Sequence, residues 1–293
     1  MEKENWKVYI NGEIVPLKEA KISVFDRVFS YGDAVFEGIR CYDGKIFKLE
    51  EHVRRLFDSA QAVHIKIPLS HEDMKKAIKA TVRANGFKNA HIKPFVTRGC
   101  QYEMTLDTNK AITPSIVIMV RPHAESTFEK AASGIRLAAV SVRKIPACCI
   151  DPRIKSVNYM TNILARAEAL ASGADDAIML DIQGFVSEGP GTNIFLVRRG
   201  TLQTPPVQSG LEGITRQTVI MLGKKIPIPT YEIPLTMYDV YTSDEIFMTG
   251  TGAGIVPAIE VDRKSIGEGK RGPITQKLIQ LYAEEVKKGE AIE

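Results

Sequence analysis

Short runs of β-forming residues closed by Asn-Gly and Asp-Gly turns alternate along this chain with stretches whose apolar residues recur at helical spacing. That repeated change of period constrains the fold more than any other feature, because a strand pattern will not sit as a helix nor a helix pattern as a strand. With 44% hydrophobic and 25% charged residues, close to average globular usage, disorder and coiled coil are both poor readings. In the first part, Lys7-Val8-Tyr9-Ile10, a turn at Asn11-Gly12, then Ile14-Val15 and Ile22-Ser23-Val24 read as strands. A second hairpin is predicted around Asp43-Gly44, joining residues 36–42 to Lys45-Ile46-Phe47. Val53, Leu56, Phe57, Ala60 and Val63 predict a helix over 49–63. Ser70, followed by Glu72 and Asp73, caps a helix that stops at Asn85-Gly86. Strands over 91–97 and 115–120 follow.

A polar stretch with a proline, Arg121-Pro122-His123-Ala124-Glu125-Ser126-Thr127, then breaks the pattern. It marks an inter-domain connection over 121–132, between a small N-terminal α/β domain, 1–120, and a larger C-terminal domain, 133–293. For a chain of 293 residues, about two domains of roughly 100–200 residues is the ordinary expectation. The second part predicts strand 135–142, helix 157–172, strand 176–181, a turn at Gln183-Gly184, and strands 185–186 and 193–197. Helix 215–225, strand 245–249 and helix 274–288 complete it. The predicted class is mixed α/β (α+β) in two domains.

Composition narrows the function classes. Charged residues make up 25% and the formal net charge is +4, with Lys and Arg scattered rather than clustered. No nucleic acid and no anionic membrane surface is expected as a partner, whereas small anionic ligands stay open. The longest aliphatic run, 116–120, is far short of the roughly 20 residues of a membrane span. Residues 1–5 carry no apolar signal core. Cys41, Cys100, Cys148 and Cys149 make no disulfide framework, and no CxxC or His-rich spacing suggests a metal. A cytoplasmic globular protein is the expectation.

Three segments could carry chemistry. Gly250-Thr251-Gly252-Ala253-Gly254 follows a strand, but Pro257 stands where a dinucleotide-binding helix would have to continue. It reads both as a turn whose N–H groups cradle an anion and as an ordinary glycine turn. Leu211-Glu212-Gly213-Ile214-Thr215-Arg216 opens a helix, so free N–H groups and the positive dipole end gather there, as at any helix start. Ser187-Glu188-Gly189-Pro190-Gly191-Thr192-Asn193 sets Glu188 among small residues at a strand end, compatible with a functional acid and with simple turn chemistry. Lys155 lies between a strand and a helix, and composition alone does not separate it from a solvated surface lysine. HExxH, GxSxG and Walker sequences are absent.

Read together, these segments resemble the branched-chain aminotransferases, class IV, fold-type IV enzymes dependent on pyridoxal 5′-phosphate (PLP). The resemblance rests on Tyr31-Gly32-Asp33-Ala34-Val35-Phe36-Glu37-Gly38-Ile39-Arg40, His52-Val53-Arg54-Arg55-Leu56, Lys155-Ser156-Val157-Asn158-Tyr159, 187–193, 213–216 and 248–257, in the family's order. It implies a small and a large domain with PLP between them, and at least a homodimer. It assigns Lys155 to the covalent link with the cofactor's aldehyde and to proton transfer, and Glu188 to the pyridine nitrogen. Arg55, the Ile214 and Thr215 amides, Gly250 and Thr251 would hold the phosphate, and Tyr159 would stand near the phenolic oxygen. Tyr31, Phe36, Gly38 and Arg40 would line the substrate pocket. The structural alternative for Tyr31 and Phe36 is an ordinary β-core aromatic.

Three departures from the family pattern bear on substrate. His91-Ile92-Lys93-Pro94 stands where the family usually reads Tyr-Ile-Arg-Pro, so lysine keeps the charge but loses the bidentate fork. Gly99-Cys100-Gln101-Tyr102-Glu103-Met104 brings a carboxylate into the specificity loop. Gly250-Thr251-Gly252-Ala253, with Gly252 and Ala253 expected beside the substrate, stands where the family usually reads Gly-Thr-Ala-Ala, so Gly252 leaves more room beside the cofactor. The implied activity is transfer of the amino group from a branched-chain L-amino acid, as donor, to 2-oxoglutarate, a 2-oxo acid acceptor, in branched-chain amino acid biosynthesis. D-amino-acid or (R)-amine transamination, with Arg98 as carboxylate anchor, is the alternative within the fold. Aminodeoxychorismate lyase chemistry and a PLP-free binding module are weaker alternatives.

Overall fold

The computed structural model describes residues 5–111, 113–123 and 133–293. By packing, the chain divides into two units, Met1–His123 with Ile154–Asn158 and Val286–Glu293, and Ala124–Arg153 with Tyr159–Glu285. This differs from the linear division expected: the Lys155 segment and the C-terminus pack with the first unit. Strand 115–120 also runs further than predicted, through Arg121 and Pro122, and positions 124–132 of the expected connection lie outside the described residues.

The first unit contains β1 (Lys7–Ile10), β2 (Glu13–Pro16), α1 (Arg27–Tyr31), β3 (Ala34–Phe36), β4 (Ile39–Tyr42), β5 (Lys45–Ile46), α2 (Leu49–Ala62), α3 (His71–Asn85), β6 (Ala90–Thr97) and β7 (Ile116–Pro122). Its sheet runs Glu290–Ala291, β5, β4, β6, β7, β1, β2, with β3 also on β6, and each of these pairs is antiparallel. Local chemistry sets several boundaries. Asp43 and Gly44 both have positive φ (49° and 77°), as the tight β4–β5 hairpin requires. Ser70 Oγ accepts the Asp73 N–H at 3.1 Å at the start of α3, and Gly86, at φ 67°, ends it.

Two expectations need correction here. Residues 36–42 are not one strand: β3 and β4 both lie along β6, and the run is interrupted at Glu37 and Gly38. Ile22–Val24 forms no strand, and Ile22 and Val24 are exposed.

Alternation decides what each face of this sheet does. Val35, Ile39, Cys41, Ala90, Ile92, Val96, Ile118 and Val120 share a core with Leu49, Val53 and Leu56 of α2 and Met74, Ile78 and Val82 of α3. The intervening residues, among them Phe36, Arg40, His91, Lys93 and Phe95, must therefore face the other way.

The second unit contains β8 (Ile135–Arg143), α4 (Met160–Ala171), β9 (Asp176–Leu180), β10 (Val186–Glu188), β11 (Asn193–Arg198), β12 (Thr201–Thr204), α5 (Ile214–Gly223), β13 (Thr230–Glu232), α6 (Met237–Tyr241), β14 (Glu245–Gly250), β15 (Gly254–Val261), β16 (Lys264–Ser265) and α7 (Pro273–Glu285). The sheet order is β10, β9, β8, β15, β14, β11, β12, β13, with β16 beside β15. β8 runs parallel to both β9 and β15. Ala165 and Ala169 of α4 pack on Ala138, Val140, Ala177 and Met179, while Leu137, Ile178, Ile194, Leu196, Ile246 and Met248 form a second cluster with Leu235 and Val240. Residues 157–159, predicted helical, precede α4 instead. No described helix is long and apolar enough to cross a membrane.

Candidate active site

In the first unit the chain around Lys155 behaves as a short extra strand. Val35 and Ser156 form an antiparallel bridge, the Phe36 N–H donates to the Lys155 carbonyl (2.9 Å), and the Val157 N–H to that of Ala34 (3.1 Å). Lys155 is thereby set beside the pocket word. Its ammonium nitrogen lies 4.7 Å from the centroid of the Phe36 ring. Lys93 approaches the same ring at 4.8 Å and that of Phe95 at 5.0 Å, and Phe36 and Phe95 stack at 5.5 Å. Burial, with the Lys155 and Arg121 charges, lowers the Lys93 pKa from the usual lysine range.

Behind this aromatic floor the register aligns Arg40, His91 and Arg121 across three strands. Burial and the surrounding cations Arg121, Arg40 and Lys93 push His91 down to about 4. His123 is likewise pushed down to about 4 by burial, Arg40 and Arg121. It is therefore neutral at pH 7, and its Nε2 accepts from Arg40 Nη1 at 2.8 Å. A Cβ on Gly38 would lie 3.4 Å from His91 Nε2, so the imidazole packs closely over this glycine. The cluster carries more positive than negative charge, a ready seat for a carboxylate.

Arg55, on α2, donates from Nε to Glu37 Oε1 (2.6 Å) and from Nη2 to Oε2 (2.9 Å). His52 Nδ1 meets Glu37 Oε2 at 2.7 Å. Burial would raise the Glu37 pKa, yet Arg55 and His52 hold it well below the usual carboxylate range. The His52 pKa is lowered, chiefly by burial and against the pull of Glu37.

The second unit gathers the other predicted residues. Glu188, at the end of β10, is buried among donors: Lys144 Nζ at 2.7 Å from Oε1, and Asn193 Nδ2 (3.0 Å) and the Leu211 N–H (2.9 Å) on Oε2. Close approach explains two glycines nearby. A Cβ on Gly210 would lie 3.1 Å from the Glu188 carboxylate, and one on Gly213 only 2.0 Å from Asn193 Oδ1. Gly213 is the N-cap of α5 and offers no side-chain cap, so the Ile214 and Thr215 amides start the helix without an intrahelical acceptor. Gly250, Thr251, Gly252 and Ala253 form the β14–β15 turn, closed by the Ala253 N–H on the Gly250 carbonyl at 3.2 Å. A Cβ on Gly252 would meet nothing within 4 Å. Tyr159 precedes α4 as its N-cap.

Two predicted substrate residues fall elsewhere in the first unit. Tyr31 ends α1, is partly exposed, and lies under the Arg27 guanidinium at 4.9 Å. Arg98 is committed structurally: Nε bonds Asp33 Oδ2 at 2.7 Å, and Nη1 and Nη2 bond the His64 and Val63 carbonyls at 2.9 and 2.7 Å. That geometry ties the end of α2 to Asp33 and speaks against the anchor expected of Arg98. Sequence reasoning gave no role to several residues that contact the predicted ones: Glu37, His52, Arg121 and His123 in the first unit, and Lys144 and Asn193 in the second. Glu37 and His52 lay inside recognised words, whereas Lys144 carried no signal.

The sequence profile of the amino-transferase class IV family matches residues 34–261. The chain belongs to the class IV aminotransferases. A Methanocaldococcus jannaschii protein with the provisional name branched-chain-amino-acid aminotransferase is 47% identical over 277 residues, covering 94% of this chain and 95% of that one. Among solved structures, the Thermoproteus uzoniensis branched-chain aminotransferase with norvaline is 38% identical with a TM-score of 0.90, over 97% of this aminotransferase and 95% of that chain. The T.th. branched-chain amino acid aminotransferase with pyridoxamine 5′-phosphate is 35% identical with a TM-score of 0.91, over 98% and 96%.

Class IV aminotransferases act with PLP, and the donor sets of this one fit that group. An amine stands beside an aromatic ring (Lys155), and a buried carboxylate is matched by three donors (Glu188). A guanidinium is held by a buried acid (Arg55), and a helix start lies next to a close-packed glycine (Gly213). When bound, PLP supplies the aldehyde that takes up the amino group and the ring that accepts electrons from the substrate Cα.

Proposed function

We propose that this aminotransferase moves the amino group of branched-chain L-amino acids to 2-oxoglutarate. The observation that carries the reading is the shared Phe36 ring, with Lys155 on it at 4.7 Å and Lys93 at 4.8 Å. An aliphatic side chain finds aromatic surface there, next to an amine able to take a Cα proton and to cations able to hold a carboxylate. The names of the relatives support the same substrate class.

In this reading Lys155 Nζ carries the proton between substrate Cα and cofactor, and Glu188 faces the ring nitrogen. A carboxylate has about four acceptor positions, and three are taken here. Arg55, the Ile214 and Thr215 amides, Gly250 and Thr251 hold the phosphate, and Tyr159 meets the phenolic oxygen. Phe36, Gly38, Arg40, His91, Lys93, Gly252 and Ala253 border the substrate, with Tyr31 at its margin. A cytoplasmic homodimer of a small and a large domain completes the proposal, and four free cysteines suit a reducing compartment.

The test is a half-reaction screen on the holoenzyme with L-valine, L-leucine, D-alanine and (R)-1-phenylethylamine, each added alone. L-Valine and L-leucine are expected to bleach the yellow band of the bound cofactor. Bleaching by D-alanine or the (R)-amine alone would overturn the reading.

A further inference from the structure

Glu37 is a buried charge inside the pocket word, and the reaction gives it no task. Its side chain has no exposed surface, whereas its partner Arg55 keeps 14% of its own. The acid therefore sits at the back of the pair and the cation at the front. Both carboxylate oxygens are engaged: Oε1 with Arg55 Nε, and Oε2 with Arg55 Nη2, His52 Nδ1 and, at 3.2 Å, the Gly38 N–H.

Stability alone is a poor reason for such a group, since a buried ion pair is often no better than apolar residues of the same volume. Orientation is a better one. A guanidinium is planar, with five N–H donors in a fixed fork. Two bonds to one carboxylate, 2.6 and 2.9 Å long, fix its plane and so the direction of its remaining donors. His52 braces Glu37 from a third side without adding charge, because burial keeps the imidazole neutral. We propose that Glu37, braced by His52, is the positioning residue that aims the Arg55 guanidinium at the cofactor's phosphate. The inference rests on the reading of Arg55 as a phosphate partner.

Glu37 also lies between Phe36 and Gly38, and Phe36 is hydrogen-bonded through its N–H to Lys155. The aim of the phosphate anchor and the place of the reactive amine are thus set by neighbouring residues of one short segment.

The test compares two probes on the full chain after cofactor removal: PLP, and pyridoxal, which lacks the phosphate. Glu37→Gln keeps the shape and removes the charge. It should weaken PLP tenfold or more while pyridoxal affinity stays within twofold, and Arg55→Ala should lower the same ratio. If Arg55→Ala leaves the ratio unchanged, the phosphate reading of Arg55 fails and the inference with it. A ratio lowered by Arg55→Ala but not by Glu37→Gln overturns the inference alone. Should Glu37→Gln lose its thermal transition, His52→Leu and His52→Asn decide. The leucine variant should lower the ratio and the asparagine variant, which restores an N–H donor, should recover it. Equal ratios in both would overturn the proposal.

Discussion

Lys144 places its ammonium nitrogen 2.7 Å from Oε1 of Glu188, and both side chains are almost wholly buried. Two further donors, from Asn193 and Leu211, share the other oxygen. The carboxylate is therefore held in place on two sides by the protein itself. Lys144 has no counterpart in the sequence reasoning, because nothing in Arg143-Lys144-Ile145-Pro146 marks it out.

Glu188→Gln keeps the shape and the hydrogen-bonding size but removes the charge that favours a protonated pyridine. Removing one partner of a buried pair is worth on the order of 3–5 kcal/mol, enough for about two to four decades of rate. Stopped-flow measurement of the half-reaction with L-leucine checks this. Near-normal rates would show that the carboxylate does not serve the ring.

Lys155→Ala should abolish multiple turnover and leave the fold in place. The backbone bonds at this position survive the change: the carbonyl accepts from Phe36, and the N–H donates to Ser59 Oγ at 3.1 Å. Thermal stability should change by about 1 kcal/mol at most. In the unmodified enzyme, borohydride reduction and peptide mapping should place the pyridoxyl group on Lys155. Its discovery on Lys93 or another lysine would overturn the assignment.

What the sequence disclosed follows the range of the forces involved. Ser70, Gly86 and the Asp43-Gly44 turn act over a few residues, so their elements were legible locally. The predicted helix begins too early because Ser156 and Val157 pair with β3, more than 100 residues earlier, and such pairing leaves no local pattern. β15 was missed for the opposite reason: Pro257 reads as a breaker, yet it sits within the strand opposite Phe247. Lys155, Glu188 and Arg55 take their proposed roles from the family resemblance alone. Glu37 and His52 carry no local signal, since their contacts join a strand break to a helix.

The histidines predict a pH dependence of stability. His91 and His123 titrate near 6.5 when unfolded and at about 4 when folded. Between those values the unfolded chain binds protons that the folded one does not, so stability is full above about pH 6.5 and falls as pH drops toward 4. After discounting for their partly exposed edges, the loss is about 1–3 kcal/mol for the two together. Thermal melts from pH 7.5 to 4.5 should show a smaller loss in His91→Gln/His123→Gln than in the parent. Parallel curves would mean that these imidazoles are not what titrates.

The carboxylate seat gives the last prediction. Lys93 holds its charge over Phe36 and Phe95 as a point cation, without the two-pronged geometry of arginine. His91 is neutral at pH 7, so it contributes no charge to an anionic acceptor. Affinity for 2-oxoglutarate should therefore be poorer than in a site with tyrosine and arginine at these positions. His91→Tyr/Lys93→Arg restores both. The apparent KM for 2-oxoglutarate should fall about tenfold if about 1.4 kcal/mol of ground-state binding is regained. Turnover of an (R)-amine should not improve, since it has no carboxylate to grip. Loss of activity on every donor would show that Lys93 belongs to a pocket of different construction. Arg98 could not easily rescue that outcome as anchor, because its donors are already bound to Asp33, Val63 and His64. Arg40 and Arg121, which flank His91 across the sheet, would then be the cations to vary next.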